Sequence, residues 1–304
     1  MQRWLIVAAL LLLAMASCSL ATAEEAKAEP AAEPAGEPAA EAVEATPKAE
    51  AKAPEEVEKA PAEAEKAPAA EPAKPAEPTA ADLLKLSDKQ WRTRHIKGND
   101  RKSVQSAEDA LKLGADEFEA IWRVSRACFW VAENDADKKV KIIFGEKGWK
   151  AGKRAAELKP ERVEGWYWGV VSLGQYSTGI GIAKAFFEGI SSKFESMNKK
   201  AITIDARYGY AGPNRSYGRY WFMVPWPKRN YDRAEKMMKQ SITDYPPKLR
   251  SYFYLAEIYL AKKQRDDAKQ ALETCIGLDP KKEEYPDGVI YLKECQKLYN
   301  KEFK

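Results

Sequence analysis

Residues 251–280 read SYFYLAEIYLAKKQRDDAKQALETCIGLDP, and this stretch decides the fold. Its first half carries apolar and aromatic side chains at helical spacing, namely Tyr252, Leu255, Ala256 and Tyr259. Its second half repeats the pattern with Ala268, Leu272 and Cys275. Because residues three and four apart share one helix face, we predict two helices that approach closely at the small Ala256 and Ala268. Pro280 ends the second helix, since proline lacks an amide donor and clashes with the preceding turn.

A similar unit precedes this one and ends at Pro246, which lies 34 residues before Pro280. This period, the small residues and the closing proline resemble the tetratricopeptide repeat (TPR). We predict an all-α, TPR-like helical-hairpin solenoid with about five helix pairs, three of them irregular, and a capping helix from about residue 287 to 303. The paired segments are residues 83–94 with 103–113, 117–131 with 149–158, 165–173 with 194–204, 214–223 with 231–243, and the unit at 251–280. The alternative is a helical bundle without true repeats.

Residues 1–23 have the layout of a secretory signal peptide: Arg3 precedes an apolar run that extends from Trp4 to about Ala16. Two cleavage sites compete. Residues 21–23 read ATA, a small-residue site, whereas residues 15–18 read MASC and resemble the bacterial lipoprotein box, which implies lipidation of Cys18. We therefore expect a protein of the bacterial cell envelope on its periplasmic side, either lipid-anchored or secreted free. An uncleaved membrane anchor is the remaining alternative.

Residues 24–80 form a segment of low complexity, with ten Pro, 15 Glu and 6 Lys and without an aromatic side chain. Such a composition cannot bury enough apolar surface to offset chain entropy, so we predict a disordered tether. The whole chain carries +4, of which residues 1–23 carry +1 and residues 24–80 carry −9, so residues 81–304 carry +12. A basic helical domain favours anionic partners. The export signal argues against nucleic acid.

Three aromatic segments differ from ordinary repeat sequence: WRVSRACFW at 122–130, GWYWGVVSLG at 165–174 and YGYAGPNRSYGRYWFMVPWP at 208–227. As a set they resemble a bacterial TPR-like family that includes the T-component of tripartite ATP-independent periplasmic (TRAP) transporters, and they are similar to the regulator-of-microtubule-dynamics proteins. The resemblance covers roughly residues 115–280. It implies an accessory protein that binds a small organic anion or hydrophobic ligand and docks a periplasmic partner, such as a solute-binding protein.

The third segment also predicts a binding site by its own chemistry. Gly209 and Gly212 permit turns closed to other residues, and Pro213 starts a helix on which Arg215 and Arg219 share one face. Aromatic walls with a few polar groups are typical of small-molecule clefts. The candidate ligand-binding residues are Trp166, Tyr167, Trp168, Tyr210, Asn214, Arg215, Tyr217, Arg219, Trp221 and Trp226. The alternative is that these aromatics fill the space between helices.

Catalytic chemistry has little support in the sequence. His95 is the single histidine, and the chain has no C-x-x-C, H-x-x-x-H or glycine-rich phosphate motif. We therefore expect neither an enzyme nor a cofactor or metal site. Cys128 has the apolar neighbours of a buried thiol, and a disulfide between Cys275 and Cys295 is sterically possible but stays open at this point. The rival function is a TPR scaffold that binds protein segments in envelope or polysaccharide assembly.

Overall fold

The computed structural model describes residues 77–283 and 285–304. The predicted signal peptide, Cys18 and residues 24–76 of the predicted tether lie outside the described residues. The first helix begins at Ala80, where the side chain of Thr79 accepts a hydrogen bond from the amide of Asp82 and the Asp82 carboxylate accepts one from Thr79. This reciprocal capping satisfies amide groups that a helix leaves unpaired at its start.

The part of the chain that the structure describes is helical and contains no strand, which confirms the predicted all-α class. The helices are α1 (Ala80–Arg92), α2 (Asn99–Lys112), α3 (Glu117–Asn134), α4 (Lys138–Leu158), α5 (Val163–Ile180), α6 (Ile182–Phe187), α7 (Ile190–Asp205), α8 (Tyr208–Met223), α9 (Tyr231–Asp244), α10 (Leu249–Ala261), α11 (Arg265–Gly277) and α12 (Asp287–Phe303), with a 3-10 turn at Pro280–Lys282. None of these helices is long and apolar enough to cross a membrane.

The helices pack as the predicted pairs: α1 with α2, α3 with α4, α5 with α7, α8 with α9, and α10 with α11. Helix α12 covers the end of the array by packing against α10 and α11. The predicted solenoid of five pairs and a cap is therefore confirmed. Helix α6 is an addition that the sequence pattern did not predict; it is a single short element between α5 and α7.

Helix α4 of the second pair packs closely along α5 of the third pair, and glycines make this contact possible. Gly145, Gly148 and Gly152 are buried along one face of α4. A Cβ atom added to Gly152 would lie only 2.5 Å from the amide nitrogen of Gly169 on α5, so this position does not accept a side chain without a shift of backbone. This stripe brings the segment at 165–174 directly against the second helix pair.

The regular repeat has the packing that its sequence predicts. Ala256 on α10 and Ala268 on α11 are both fully buried within the largest apolar core, which extends from α5 to α12. A disulfide joins Cys275 of α11 to Cys295 of α12, with the Cα atoms 6.3 Å apart. The structure thus answers the question that the sequence left open, and it attaches the capping helix covalently to the last repeat.

Candidate functional site

Helix α8 begins with an unusual left-handed turn. Gly209, Tyr210 and Ala211 have φ angles of 56°, 60° and 56°, a region that only glycine enters without strain. The guanidinium of Arg215 donates hydrogen bonds to the carbonyl oxygens of Tyr210 at 2.7 Å and Gly209 at 3.3 Å. Arg215 is only 5% exposed, so these bonds hold the turn from inside the molecule.

The sequence predicts that Gly212 permits a backbone turn, but in the structure this glycine has a different role. Its φ is not positive, but a Cβ atom at this position would lie 2.6 Å from Cε2 of the Tyr167 ring. The missing side chain lets α8 rest on the buried Tyr167 of α5. The segments at 165–174 and 208–227 therefore meet, as the proposed site requires.

A cavity of about 300 Å³ lies at this junction. Its apolar wall comes mainly from α6, α7 and the end of α8, through Ile182, Ala185, Phe186, Ile190, Phe194, Met223 and Val224. Its polar wall comes from α3, α8 and α10, through Glu133, Arg215, Arg219, Arg250 and Tyr254. The cavity lining thus combines three arginines with aliphatic and aromatic side chains.

Arg250 is buried in the polar wall beside an acid. It donates a hydrogen bond to Glu133 at 2.8 Å, and its guanidinium lies 4.5 Å from the ring centroid of Tyr291. Burial alone would lower the pKa of Arg250, but the Glu133 carboxylate and further negative groups raise it well above the usual value. Its Nε is buried without a hydrogen-bond partner among the described residues.

Arg219 is paired with Glu257 of α10 at 2.7 Å and lies over the ring of Tyr254 at 4.4 Å. Burial raises the pKa of Glu257 above its usual value, and the nearby Arg219 only partly offsets that effect. Among the described residues, Glu133 is the only acid that lines the cavity, and Arg215 bonds to neutral carbonyl oxygens rather than to a carboxylate. One positive charge at the cavity is therefore uncompensated.

Three of the ten candidate residues line the cavity: Tyr167, Arg215 and Arg219. The other seven lie elsewhere. Trp166 donates its indole N–H to the carbonyl of Pro160, and Asn214 donates to Asp244. Tyr210 contacts the ring of Tyr245.

The remaining candidates divide between packing and exposure. Trp168 donates to the Tyr208 hydroxyl and packs against Trp91. Tyr217 and Trp221 pack together in the apolar core, and burial raises the pKa of Tyr217 to about 12. Trp226 is 84% exposed. The alternative interpretation of these aromatics, as filling between helices, thus describes Trp168, Tyr217 and Trp221.

Sequence reasoning missed Arg250, Glu133 and the wall that α6 supplies. Arg250 lies in the first helix of the most regular repeat, where an arginine has no distinguishing pattern. Glu133 follows the aromatic segment at 122–130 and resembles a surface acid in sequence. Their pairing joins residues that are 117 positions apart, so no local signal reports it.

The arginines of the first aromatic segment have a structural role. Arg123 and Arg126 of α3 both bond to the Asp88 carboxylate of α1, at 3.0 Å and 2.6 Å. They hold the first helix pair against α3, away from the cavity lining.

A second ionic group joins the two ends of the array. The Lys248 ammonium lies 2.9 Å from Glu283 and 3.2 Å from Asp287, and Arg94, in the segment after α1, lies 3.7 Å from Asp287. Burial raises the pKa of Asp287, but Arg250, Lys248 and Arg94 together lower it to about 2. The segment between α1 and α2 therefore contacts the start of α12. Across the described ranges, no group of His, Cys, Asp and Glu side chains could hold a metal ion.

Comparison with known proteins agrees with this architecture. The family described as regulator of microtubule dynamics protein 1-3 matches residues 88–226, and the tetratricopeptide repeat family matches residues 228–285. No curated protein matches the chain.

Among solved structures, a thermophilic TPR protein in Thermus thermophilus superposes with a TM-score of 0.55 at 17% identity, over 72% of this chain and 99% of its own. The structure of MamA gives a TM-score of 0.41 at 15% identity, over 63% of this chain and 92% of its own. The family matches and this structural similarity together support a TPR-like repeat fold for the chain. Proteins of this fold are typically binding scaffolds, and their repeats generally bind protein partners.

Proposed function

We propose that this chain is an envelope accessory protein whose cavity binds a small organic anion with an apolar portion, and which docks a periplasmic protein. The observation that carries the proposal is a single cavity whose lining combines three arginines with many apolar side chains. Arg215, Arg219 and Arg250 face a space to which the described residues contribute only one carboxylate. A ligand carboxylate would supply the missing negative charge in a site where low polarity strengthens the attraction.

The dimensions limit the ligand. A cavity of about 300 Å³ is at the lower end of the range for small-molecule sites. The net charge suits one negative group rather than two, because Glu133 pairs with Arg250 and Glu257 pairs with Arg219, which leaves Arg215. We therefore favour a monocarboxylate with a short apolar chain, its carboxylate near Arg215 and its chain along α6 and α7.

The test uses octanoate as the probe and octanol as its uncharged analogue, with binding to the purified chain measured by calorimetry. We expect octanoate to bind at least about tenfold more tightly than octanol, because a charge-assisted hydrogen bond contributes about 1.5–3 kcal/mol. Arg215→Gln should abolish that difference, whereas Arg215→Lys keeps the charge and should retain part of it. Arg265→Gln, on the exposed face of α11, is the matched control and should bind as the wild type does.

A further variant separates charge from shape. The double variant Arg219→Gln with Glu257→Gln removes one cavity arginine without altering the net charge, so preference for octanoate should persist. Equal affinity of the wild type for octanoate and octanol contradicts an anion site. Absence of binding by either probe, together with no co-purifying molecule in native mass spectrometry, contradicts a ligand cavity altogether.

The second candidate function is a scaffold for protein segments in envelope or polysaccharide assembly. The regular repeat at α10–α11, within the region that matches the tetratricopeptide repeat family, favours it. Crosslinking in the native envelope followed by mass spectrometry separates the two functions. A solute-binding protein and transporter subunits among the products would support a role like that of the TRAP T-component, and assembly proteins alone would support the scaffold.

Attachment to the envelope is part of the same proposal. The residues that support it are the apolar run to Ala16 and Cys18 after it. A fatty-acid probe should label the wild type and fail to label Cys18→Ala. Equal labelling of both chains, or a mature N-terminus at Glu24, would exclude lipidation at Cys18. Neither result bears on the cavity, whose lining residues all follow position 128.

A further inference from the structure

Two aromatic side chains protrude from the margin of the cavity. Phe187, the last residue of α6, and Trp226, in the loop after α8, are each 84% exposed. They are the most exposed large apolar side chains among the described residues. The others of this kind lie on or beside α1, α2, α4 and the start of α12. Exposure of a tryptophan and a phenylalanine to this degree is unfavourable in water, and contact with a partner would relieve it.

The two segments that carry these side chains are held together. The Lys228 ammonium, two residues after Trp226, lies 3.1 Å from the hydroxyl of Ser191 at the start of α7, and it also pairs with Glu195. Phe187 is four residues before Ser191. Both segments line the cavity through other residues, since Phe186 adjoins Phe187 and Val224 lies two residues before Trp226. Both aromatics therefore lie in segments that border the same cavity.

The loop that carries Trp226 has a fixed conformation. The amides of Lys228 and Arg229 donate to the carbonyl of Pro225, and the Arg229 side chain donates to the carbonyl of Val224 at 2.9 Å. These bonds hold the backbone on both sides of Trp226, and the Trp226 side chain stays exposed. The protrusion is thus a property of the folded loop.

The loop that carries Trp226 has an excess of basic residues. Trp226 is followed within three residues by Lys228, which pairs with Glu195, and by Arg229, whereas Lys184 on α6 is 65% exposed and pairs with Glu188. Across residues 224–233 the charges are Lys228, Arg229, Asp232 and Arg233, a net of +2. Aromatic side chains beside basic ones are the composition that an anionic lipid surface attracts, with the rings at headgroup level and the cations near phosphate.

We infer that Phe187 and Trp226 dock this protein on an anionic phospholipid bilayer. Two single protrusions on separate short segments offer little flat apolar area, which a stable protein interface needs, but they suit insertion by several ångströms into the headgroup region. Docking in this way turns the cavity margin toward the lipid. The relevance of this orientation to ligand binding rests on the proposed function. The docking surface itself depends only on the exposure of the two aromatics and on the charge around them.

The experiment is hydrogen–deuterium exchange of the full chain with vesicles, since this readout localises contact and is independent of an N-terminal anchor. With equimolar phosphatidylglycerol and phosphatidylcholine, peptides covering residues 182–191 and 224–230 should exchange at least about fivefold more slowly. Pure phosphatidylcholine should give a smaller effect, because the electrostatic attraction is missing. The double variant Phe187→Ser with Trp226→Ser should lose the protection, whereas Ile143→Ser, which alters another solvent-facing apolar residue, on α4, should keep it.

Three results would overturn the inference. The first is the absence of protection in these peptides while the chain is bound to vesicles. The second is equal protection in the double variant. The third is protection that grows with protein concentration in the absence of vesicles, which would assign the surface to a second copy of the chain. Octanoate binding measured without vesicles should be unchanged in the double variant, since neither side chain lines the cavity. The failure of docking and the failure of the ligand site are therefore distinguishable.

Discussion

The most quantitative prediction concerns Asp287, at the start of α12. Its carboxylate is surrounded by three positive groups from two parts of the chain: Lys248 and Arg250 at the start of α10, and Arg94 after α1. Burial by itself would favour the neutral acid. The three cations outweigh burial and lower the pKa from the ordinary value of 3.8 to about 2.

The dependence of folding stability on pH follows from the linkage between protonation of Asp287 and folding. Because the folded state holds the carboxylate in its charged form, Asp287 stabilises the fold fully above about pH 4, and this contribution is lost as pH falls towards 2. A pKa lower by about two units corresponds to about 2–3 kcal/mol, at about 1.36 kcal/mol per unit. Asp287→Asn removes the titrating group. The variant should be less stable at pH 6. Its free energy of unfolding should fall by about 1.5 kcal/mol less than that of the wild type between pH 4.5 and pH 2.5, because the folded-state titration is still incomplete at pH 2.5.

The assay is urea denaturation followed by tryptophan fluorescence, at half-unit pH intervals from about 2.5 to 6. Asp266→Asn is the matched control, because Asp266 is exposed on α11 and makes no ion pair among the described residues. Its pH profile should run parallel to that of the wild type. If the wild type and Asp287→Asn also gave parallel profiles, the buried cations would not be stabilising this carboxylate and the reasoning would be refuted.

Gly152→Ala should destabilise the fold by at least about 2 kcal/mol, because its Cβ would meet the Gly169 backbone. Gly277→Ala is the control and should be nearly neutral, because Gly277 has open space around it. Similar urea midpoints for the two variants would contradict the tight α4–α5 contact. Burial raises the pKa of the Cys128 thiol to about 12, so iodoacetamide at about pH 8 should modify Cys128 only after unfolding. Peptide mapping checks this prediction, and modification of Cys128 in the native protein would show that α3 opens readily.

The sequence predicted the parts of the fold that local chemistry determines. Apolar periodicity placed the five helix pairs, and the prolines at 246 and 280 marked the ends of the last two repeats. The capping helix has the predicted bounds, Asp287–Phe303. Each of these features depends on spacing within a few turns of helix, which one sequence displays directly.

Other parts of the fold depend on contacts that a local pattern does not contain. Gly209 was expected to adopt a turn conformation and does so, but Tyr210 and Ala211 adopt it as well, against their ordinary preference. What holds them is Arg215, whose guanidinium donates to the carbonyl oxygens of the turn. Helix α6 was missed because six residues are too few to show a helical period.

The structure brings the two predicted segments together around a cavity, but only some of the predicted residues line it. The aromatic segments do meet around a cavity, yet the ion pair in its wall, Arg250 with Glu133, comes from α10 and α3. The sequence singled out large aromatics because they are rare. In a helical solenoid most of them pack between helices, as Trp221 and Tyr217 do here.

The hydrogen bonds of Arg215 are linked both to the left-handed turn at residues 209–211 and to the uncompensated positive charge at the cavity. A guanidinium that pairs with a carboxylate has less charge to offer a guest, as for Arg219 with Glu257 and Arg250 with Glu133. Arg215 instead donates its hydrogen bonds to the backbone carbonyl oxygens of Gly209 and Tyr210, which belong to the left-handed turn. Carbonyl groups hold an arginine in place but leave its full charge uncancelled. The left-handed turn at residues 209–211 thus holds a buried cation without neutralising it, which is the arrangement that the proposed binding of a single anionic group requires.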